Sequence, residues 1–197
     1  MKMNLFAVAL ASAGLLATSL SAHAQDKGGF FINGNVGQAN LDRGAYDDDD
    51  TGYGLNLGYR WALSPNVAIG VEGGYTDLGR FSPKPTARLA LPDGEFLRRA
   101  ELKGWTAGVN GHFNLTDNWY LSGRTGLFRA DSRGDYLVAG LPVRGDSKNT
   151  QWYAGAGFGY DFSNNFSVGL NYDYYKADKN QLKLNTDLVS IGAEVRF

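Results

Sequence analysis

The sequence predicts an all-β fold: an eight-stranded antiparallel up-and-down transmembrane β-barrel, preceded by a cleavable signal peptide. In the stretch 188–197, apolar residues alternate with Gly or polar residues from Val189 onward, which places Val189 and Ile191 on one face with the period of a strand. The same alternation recurs in seven earlier stretches. Short and long connections alternate between these stretches, as expected for a barrel whose two ends differ.

The composition agrees with this fold class. The 197 residues include 13% aromatic residues and 27 Gly, but only 5 Pro and no Cys, which suits short strands with aromatic ends. The absence of Cys excludes disulfides and thiolate zinc sites. The net charge of −1 becomes about −2 once Lys2 is removed with the signal peptide, which is too near neutral to predict a nucleic-acid partner.

The N-terminal residues have the pattern of an export signal. Lys2 precedes a charge-free apolar run, and Ala22 and Ala24 give the small-x-small cleavage pattern before Gln25. We therefore expect residues 1–24 to be a signal peptide and residues 25–197 to form one barrel domain. A retained membrane helix is the alternative, but the run is short for the roughly 20 residues that span a bilayer.

Eight stretches carry the alternation of the predicted strands. One face of each holds apolar residues and the other holds Gly or polar residues, which is the pattern of a strand between lipid and a polar lumen. An even number of strands also suits a closed antiparallel barrel. The predicted strands lie in the ranges 29–40, 53–61, 67–76, 105–113, 119–127, 154–162, 166–174 and 188–197.

The connections between the predicted strands fall into two classes. Each short one contains Ser or Thr two residues before Asn, which tightens turns by bonding the local backbone. We expect the short turns and both termini on the periplasmic side and the long loops outside. The short connections are 63–66, 114–118 and 163–165, and the long ones are 41–51, 77–99, 131–150 and 177–186.

Aromatic residues cluster at both ends of the predicted strands, as in the two girdles of a membrane barrel. A water-soluble sandwich with an aromatic core is the alternative, but its strands would need large apolar residues where this chain has Gly and polar ones. The predicted inner girdle is Trp61, Phe113, Trp119, Phe162, Phe166 and Phe197, and the outer one is Tyr53, Tyr75, Trp105, Trp152 and Tyr174.

Seven charged residues fall on the inward faces of the predicted strands. The lumen of an eight-stranded barrel is just wide enough for side chains to fill it, so these charges must pair and hydrogen-bond. We expect a structural network that plugs the lumen, with a gated proton or ion path as the alternative. The residues are Arg60, Glu72, Arg124, Asp161, Asp173, Glu194 and Arg196.

Other candidate sites are weak. His112 is the one histidine left after cleavage, and the segment His112-Phe113-Asn114 offers no nucleophile. The Asp47–Asp50 run resembles a calcium loop, but Gly58 occupies the position of the bidentate Glu. Two interpretations of the run stay open, a solvated acidic loop and a divalent-cation contact with lipopolysaccharide. We expect no catalytic, cofactor or metal site. A basic loop suited to lipid phosphates or an anionic host surface contains Arg80, Lys84, Arg88, Arg98, Arg99 and Lys103.

The chain resembles the small outer-membrane barrels that include the OmpA transmembrane domain and the OmpX/Ail proteins. The resemblance rests on the eight alternating strands, the short turns and the terminal segment Glu194-Val-Arg-Phe197. It implies the outer membrane of a Gram-negative cell, with outer-membrane lipid and lipopolysaccharide as partners. It also implies that the barrel assembly machinery recognises Val195 and Phe197. We expect no peptidoglycan-binding domain after the barrel, in contrast to full-length OmpA, so we do not expect a cell-wall anchoring role to carry over.

The resemblance implies a non-enzymatic protein that supports envelope integrity and displays loops for adhesion or for binding host or envelope factors. Two alternatives stay open, a narrow pore for ions or small solutes and a lipid A-modifying barrel enzyme. Lipid A deacylases of this architecture carry a His-x-Ser arrangement, whereas this chain has Asn114 at that position.

Overall fold

The computed structural model describes residues 28–43, 46–81, 97–138, 141–179, 182–183 and 185–197, with side chains described for 28–40, 49–80, 101–131, 148–177 and 185–197. The predicted signal peptide lies outside these ranges. The barrel strands are β1 (Gly29–Arg43), β2 (Tyr46–Ser64), β3 (Val67–Phe81), β4 (Leu97–Asn114), β5 (Trp119–Val138), β6 (Leu141–Ser163), β7 (Phe166–Tyr175) and β10 (Thr186–Arg196). A short pair, β8 (Asp178–Lys179) and β9 (Leu182–Lys183), lies between β7 and β10.

The eight long strands form a closed antiparallel barrel. Each strand pairs with its neighbours along the chain, and β1 closes the cylinder against β10 over the register Phe31↔Arg196 to Asn40↔Asp187. The predicted eight-stranded barrel is therefore confirmed. Among the residues that the structure describes, no helix is long and apolar enough to span a membrane.

The predicted faces of the strands are also confirmed. On β2, Leu55 and Leu57 point outward and are each 55% exposed, whereas Asn56 between them is 2% exposed. The same alternation holds on β10, where Val189 is exposed and Ser190 is buried. An apolar wall of this extent requires a hydrocarbon environment.

Two of the three short turns use the Ser/Thr-x-Asn pattern as the sequence predicts. The Thr116 hydroxyl accepts hydrogen bonds from the backbone N–H groups of Asn118 and Trp119, at 3.4 and 3.1 Å. The Ser163 hydroxyl accepts from Asn165 and from the residue after it, at 3.3 and 3.1 Å. These contacts fix where a strand ends and the next begins. We call this end of the barrel the turn end and the opposite end the hairpin end.

At the hairpin end the structure differs from the sequence prediction. The β5–β6 ladder continues to Val138↔Leu141 and the β1–β2 ladder to Arg43↔Tyr46, so most of the predicted loops 131–150 and 41–51 is paired strand. The alternation of apolar residues stops where the wall leaves the lipid. Pairing continues because a register already set by the barrel can be extended without an apolar face.

Aromatic residues mark both edges of the apolar wall. At the hairpin end, rings pair across strands, with Tyr75 and Trp105 centroids 5.3 Å apart and Trp152 and Tyr174 centroids 5.2 Å apart. On β2, Tyr53 and Trp61 are eight residues apart, or about 27 Å along the strand. A tilt of about 40° reduces this to roughly 20 Å, close to the height of an outer-membrane apolar band.

The barrel interior as the candidate functional site

A buried group of charges fills the turn end of the lumen. The Arg60 guanidinium donates two parallel hydrogen bonds to Glu194, from Nη1 to Oε1 at 2.5 Å and from Nη2 to Oε2 at 3.0 Å. Its Nε donates to Asn110 Oδ1 at 2.5 Å, and its Cζ lies 4.1 Å from the ring centroid of Phe31. Both charged side chains are 7% exposed. This bidentate pair holds β2 against β10 across the lumen.

Asp161 is the second centre of this group. Its Oδ1 accepts hydrogen bonds from Arg196 Nη2 at 2.7 Å and Ser167 Oγ at 2.6 Å. Its Oδ2 accepts from Asn114 Nδ2 at 2.8 Å and lies 3.1 Å from His112 Nε2. Arg196 Nε also lies 3.2 Å from Glu194 Oε1, which joins the two centres. We call Arg60, His112, Asp161, Glu194 and Arg196 the turn-end cluster.

A separate group lies farther toward the hairpin end. Arg124 donates from Nε and Nη2 to the two carboxylate oxygens of Asp173, each at 2.6 Å, and from Nη2 to the Tyr175 hydroxyl at 3.2 Å. The Tyr153 hydroxyl donates to Glu72 Oε1 at 2.8 Å. We call these five residues the mid-barrel cluster. The seven predicted charges thus lie inside the barrel in two clusters, and the described hydrogen-bond partner of Glu72 is a tyrosine.

A small polar cavity of about 40 Å³ lies in the lumen, lined by residues of both clusters. Asn56 Nδ2 and Asn110 Nδ2 are buried beside it and make no hydrogen bond within the part of the chain that the structure describes. A volume of this size has room for ordered water, and buried amide donors of this kind are the groups that such water satisfies. The polar lumen is therefore almost filled by side chains.

The lumen becomes apolar toward the hairpin end. Inward positions of several strands there carry aliphatic or aromatic side chains, and the Tyr175 ring contacts Phe128 and Tyr153 with centroids 5.0 and 5.8 Å apart. We call this group the apolar layer. It contains Ala39, Leu78, Leu102, Phe128, Ala130, Tyr153, Tyr175, Ala177 and Leu188, each at most 6% exposed, and its two tyrosines also belong to the mid-barrel cluster.

Sequence reasoning missed the apolar layer. It predicted polar inward faces, and most of the predicted strands ended before the layer begins. The signal was present: Leu78 and Leu102 continue the inward period of β3 and β4 beyond the predicted strand ends, and Leu188 is an inward apolar residue at the start of the predicted stretch 188–197. The layer is an apolar constriction of the lumen.

His112 faces the lumen at the turn end and is 2% exposed. The Tyr120 ring stacks on it at a centroid distance of 4.1 Å, and Asp161 contacts its Nε2. The register also places Ser122 opposite His112, so a hydroxyl that sequence adjacency did not reveal lies on the same inner wall. His112 also lines the small polar cavity of the lumen.

The remaining predicted residues are at the chain ends and in the loops. At the end of β10, Arg196 N donates to Asn165 O at 2.8 Å and Phe197 N donates to Phe30 O at 2.9 Å, while Val195 faces outward. Within the described residues, no group of three or more His, Asp or Glu side chains could hold a metal ion. Ala22, Ala24, Gln25, Lys84, Arg88 and the side chains of Arg98, Arg99, Asp47 and Asp48 lie outside the described parts.

Comparison with known proteins gives one family and a set of similar structures. The model of a family described as outer membrane protein beta-barrel domain matches residues 9–197. The structure resembles Ail, the attachment invasion locus protein of Yersinia pestis, with 18% identity and a TM-score of 0.55, over 86% of this chain and 97% of Ail. The same protein in complex with the heparin analogue sucrose octasulfate gives 16% identity and a TM-score of 0.54, over 86% and 97%.

A third similar structure is Neisserial surface protein A, with 16% identity and a TM-score of 0.52, over 85% of this chain and 97% of that protein. No protein with a curated description matches the sequence.

Proposed function

Because this chain belongs to the family of outer membrane protein β-barrel domains, we propose that it is a non-enzymatic surface scaffold of the Gram-negative outer membrane. In this role the barrel supports envelope integrity. It also presents its hairpin end to the outside for adhesion or for binding host or envelope factors. The proposal rests on two features that occur together. The interior of the barrel is filled, and long strand hairpins extend from one end only.

The closed interior supports a scaffold over a pore. A permeating ion would have to cross the apolar layer and then displace the bidentate Arg60–Glu194 and Arg124–Asp173 pairs, and both barriers oppose conduction in a narrow lumen. We expect the purified barrel to give no stepwise conductance in planar bilayers. Heat-dependent gel mobility of the same sample is the control for folding, and discrete steps from folded protein would favour the pore.

The burial of His112 supports a non-enzymatic role. If the barrel does not modify lipid A, the mass of lipid A stays unchanged when the protein is expressed in the outer membrane. A mass change that His112→Ala abolishes would instead identify a lipid A-modifying enzyme. His112→Ala also removes a neighbour of Asp161, so the amount of folded barrel is measured in parallel.

The family also supports the proposed location and partners. Export by residues 1–24, with cleavage after Ala24, delivers the chain to the periplasm. The barrel assembly machinery then recognises the β10 end with Val195 and Phe197. In the membrane the apolar wall contacts lipid, and the hairpin end lies among lipopolysaccharide molecules. N-terminal sequencing of protein taken from outer membranes tests the cleavage site, and a mature chain that does not begin at Gln25 contradicts it.

The display role is tested by removing one hairpin. Asp131 and Lys148 lie opposite each other in the β5–β6 ladder, so an Asn-Gly turn can replace residues 132–147 without changing the register below. Bacteria that carry the full chain should bind cultured epithelial cells more strongly than bacteria that carry this shortened variant or an empty vector. Equal binding by all three would contradict the adhesion role.

A sulfated polysaccharide is a second candidate ligand. The structure of Ail holds a heparin analogue, and this chain has cations such as Arg129 and Lys148 exposed on the outward face at the hairpin end of β5 and β6. Cations near a membrane surface attract sulfate and phosphate groups. Retention of the detergent-solubilised barrel on heparin resin, with loss on Arg129→Gln and Lys148→Gln together, tests this candidate.

A further inference from the structure

The β5–β6 hairpin carries the same three-residue sequence on both of its strands. Arg-Gly-Asp occurs at 133–135 in β5, called here the β5 triplet, and at 144–146 in β6, the β6 triplet. The two triplets face each other in the antiparallel ladder, with Gly opposite Gly and residues of opposite charge on either side. The register pairs are Arg133↔Asp146, Gly134↔Gly145 and Asp135↔Arg144.

The two triplets differ in their neighbours. The β5 triplet lies between two strands, because Arg133 and Gly134 also pair with Glu101 and Ala100 of β4. The ladder between β6 and β7 ends at Tyr153↔Tyr175, so among the described strands the β6 triplet pairs with β5 alone. An edge of this kind is where an extended segment is open to another protein.

The β6 triplet also stands well clear of the membrane. Arg144 is eight residues from Trp152 along β6, which is about 27 Å of strand. With a barrel tilt of about 40°, it lies roughly 20 Å beyond the outer aromatic girdle. A receptor on another cell can therefore reach the triplet without entering the lipid headgroups.

Register alone does not explain the residue types. Pairs of opposite charge on both sides of a Gly–Gly pair stabilise an antiparallel ladder, but Lys and Glu would serve that purpose as well as Arg and Asp. Arg, Gly and Asp together offer a guanidinium for bidentate carboxylate binding, a short carboxylate for a hard cation, and a position that lets a second backbone approach.

We infer that the β6 triplet is an adhesive ligand for a cell-surface receptor that binds Arg-Gly-Asp through a divalent cation and an acidic pocket. The cation takes the Asp146 carboxylate and the acidic pocket takes the Arg144 guanidinium. Successive residues on one face of a strand, such as Arg144 and Asp146, are about 6.6 Å apart. The cation and the acidic pocket of the receptor match this separation. The β5 triplet holds the register of the hairpin. This inference rests on the proposed display role and names the partner class for it.

The two triplets provide a matched pair of variants. Asp146→Glu and Asp135→Glu each keep the charge, and therefore the charge pairing of the register, but each moves a carboxylate by one methylene. The full chain and each variant are expressed in the outer membrane of a non-adherent bacterium, with heat-dependent gel mobility as the folding control. Bacteria bound to epithelial monolayers are then counted in Mg²⁺, in EDTA, with the peptides Gly-Arg-Gly-Asp-Ser and Gly-Arg-Gly-Glu-Ser, and with heparin.

We expect Asp146→Glu to lower binding by about tenfold or more, because a misplaced charge at the centre of a contact removes most of its affinity. Asp135→Glu should stay within about twofold of the full chain, since the β5 triplet does not contact the receptor. EDTA and the Asp peptide should inhibit binding, and the Glu peptide should not.

Failure of this inference and failure of the display role give different results. Binding by the full chain that resists EDTA and the Asp peptide, or that Asp146→Glu leaves unchanged, overturns this inference and leaves the display role standing. Inhibition by heparin alone points to the sulfated-polysaccharide ligand and likewise overturns it. Binding no stronger than that of the variant lacking residues 132–147 overturns both the inference and the display role.

Discussion

Arg124 and Asp173 show why single residues matter inside this barrel. The Asp173 carboxylate is 1% exposed and accepts both hydrogen bonds of a bidentate pair. A Cβ at Gly155 would overlap this carboxylate, so that glycine provides the space for the pair. A buried pair adds little net stability, but removing one partner leaves an uncompensated charge in a narrow lumen.

Replacing the cation tests this argument. Arg124→Met should lower the free energy of unfolding by about 3–5 kcal/mol, and adding Asp173→Leu should restore most of the loss. The measurement is urea unfolding of the barrel in lipid vesicles. Arg129→Met, an exposed change on the same strand, is the control and should cost less than about 0.5 kcal/mol. Equal losses for the two single variants would contradict the pairing.

Glu72 makes a different prediction, because its described partner is the Tyr153 hydroxyl. Glu72→Gln keeps an acceptor and should leave the free energy of unfolding almost unchanged. Glu72→Ala should lower it by about 1–3 kcal/mol, the cost of a buried donor without a partner. Both are measured by the same unfolding experiment. If Glu72 were held mainly by a cation, the glutamine variant would lose as much as the alanine variant.

At the scale of the element, each strand is defined by the contrast between its two faces. On β2, exposed Leu55 and Leu57 lie on one face and buried Asn56 and Arg60 lie on the other. A charge placed on the outer face lowers the stability of the barrel, and the loss depends on the depth of that residue in the bilayer. The position of a residue relative to the aromatic girdles therefore predicts its tolerance to charge.

Two arginine substitutions on β2 measure this depth. Leu57 lies midway between Tyr53 and Trp61, so Leu57→Arg should cost about 2–4 kcal/mol in lipid vesicles. Leu63 lies beyond Trp61 at the turn end, and Leu63→Arg should cost at most about 1 kcal/mol. The reverse order would place the lipid elsewhere than between the girdles.

β10 has a structural role at closure and a proposed role in assembly. Phe197 ends the chain with its backbone N–H bonded to Phe30 O on β1. We expect Phe197→Ala to lower the amount of folded barrel in outer membranes severalfold, measured by heat-dependent gel mobility, because the proposed assembly signal is lost. Phe162→Ala removes another exposed aromatic of the same girdle and should have little effect. Equal effects of the two changes would indicate a general loss of girdle contacts instead.

At the scale of the whole molecule, the interior is layered along the barrel axis. The turn-end cluster, the small polar cavity, the mid-barrel cluster and the apolar layer follow one another from the turn end to the hairpin end. Charged side chains occupy the lumen at one end and apolar side chains occupy it at the other. The β5–β6 and β1–β2 hairpins extend from the apolar end of the barrel.

Local sequence determined much of this architecture. The strand number, the lipid-facing residues and the turn positions follow from the two-residue period and from hydroxyl-x-Asn turns, which depend on neighbouring residues only. Leu57 faces outward and Thr116 caps a turn for reasons visible within a few residues of each. The same local reading indicates that Arg60 and Glu194 face inward, because each falls on the polar side of its strand.

The tertiary structure alone decided which inward residues meet. Arg60 binds Glu194, 134 positions away, and Glu72 binds Tyr153, because closure and stagger of the strands set which side chains share a level of the lumen. The same stagger gathers Leu78, Phe128 and Leu188 into one apolar layer, although no single strand shows it. A lumen is a property of the closed cylinder, so its contents depend on the alignment of all eight strands.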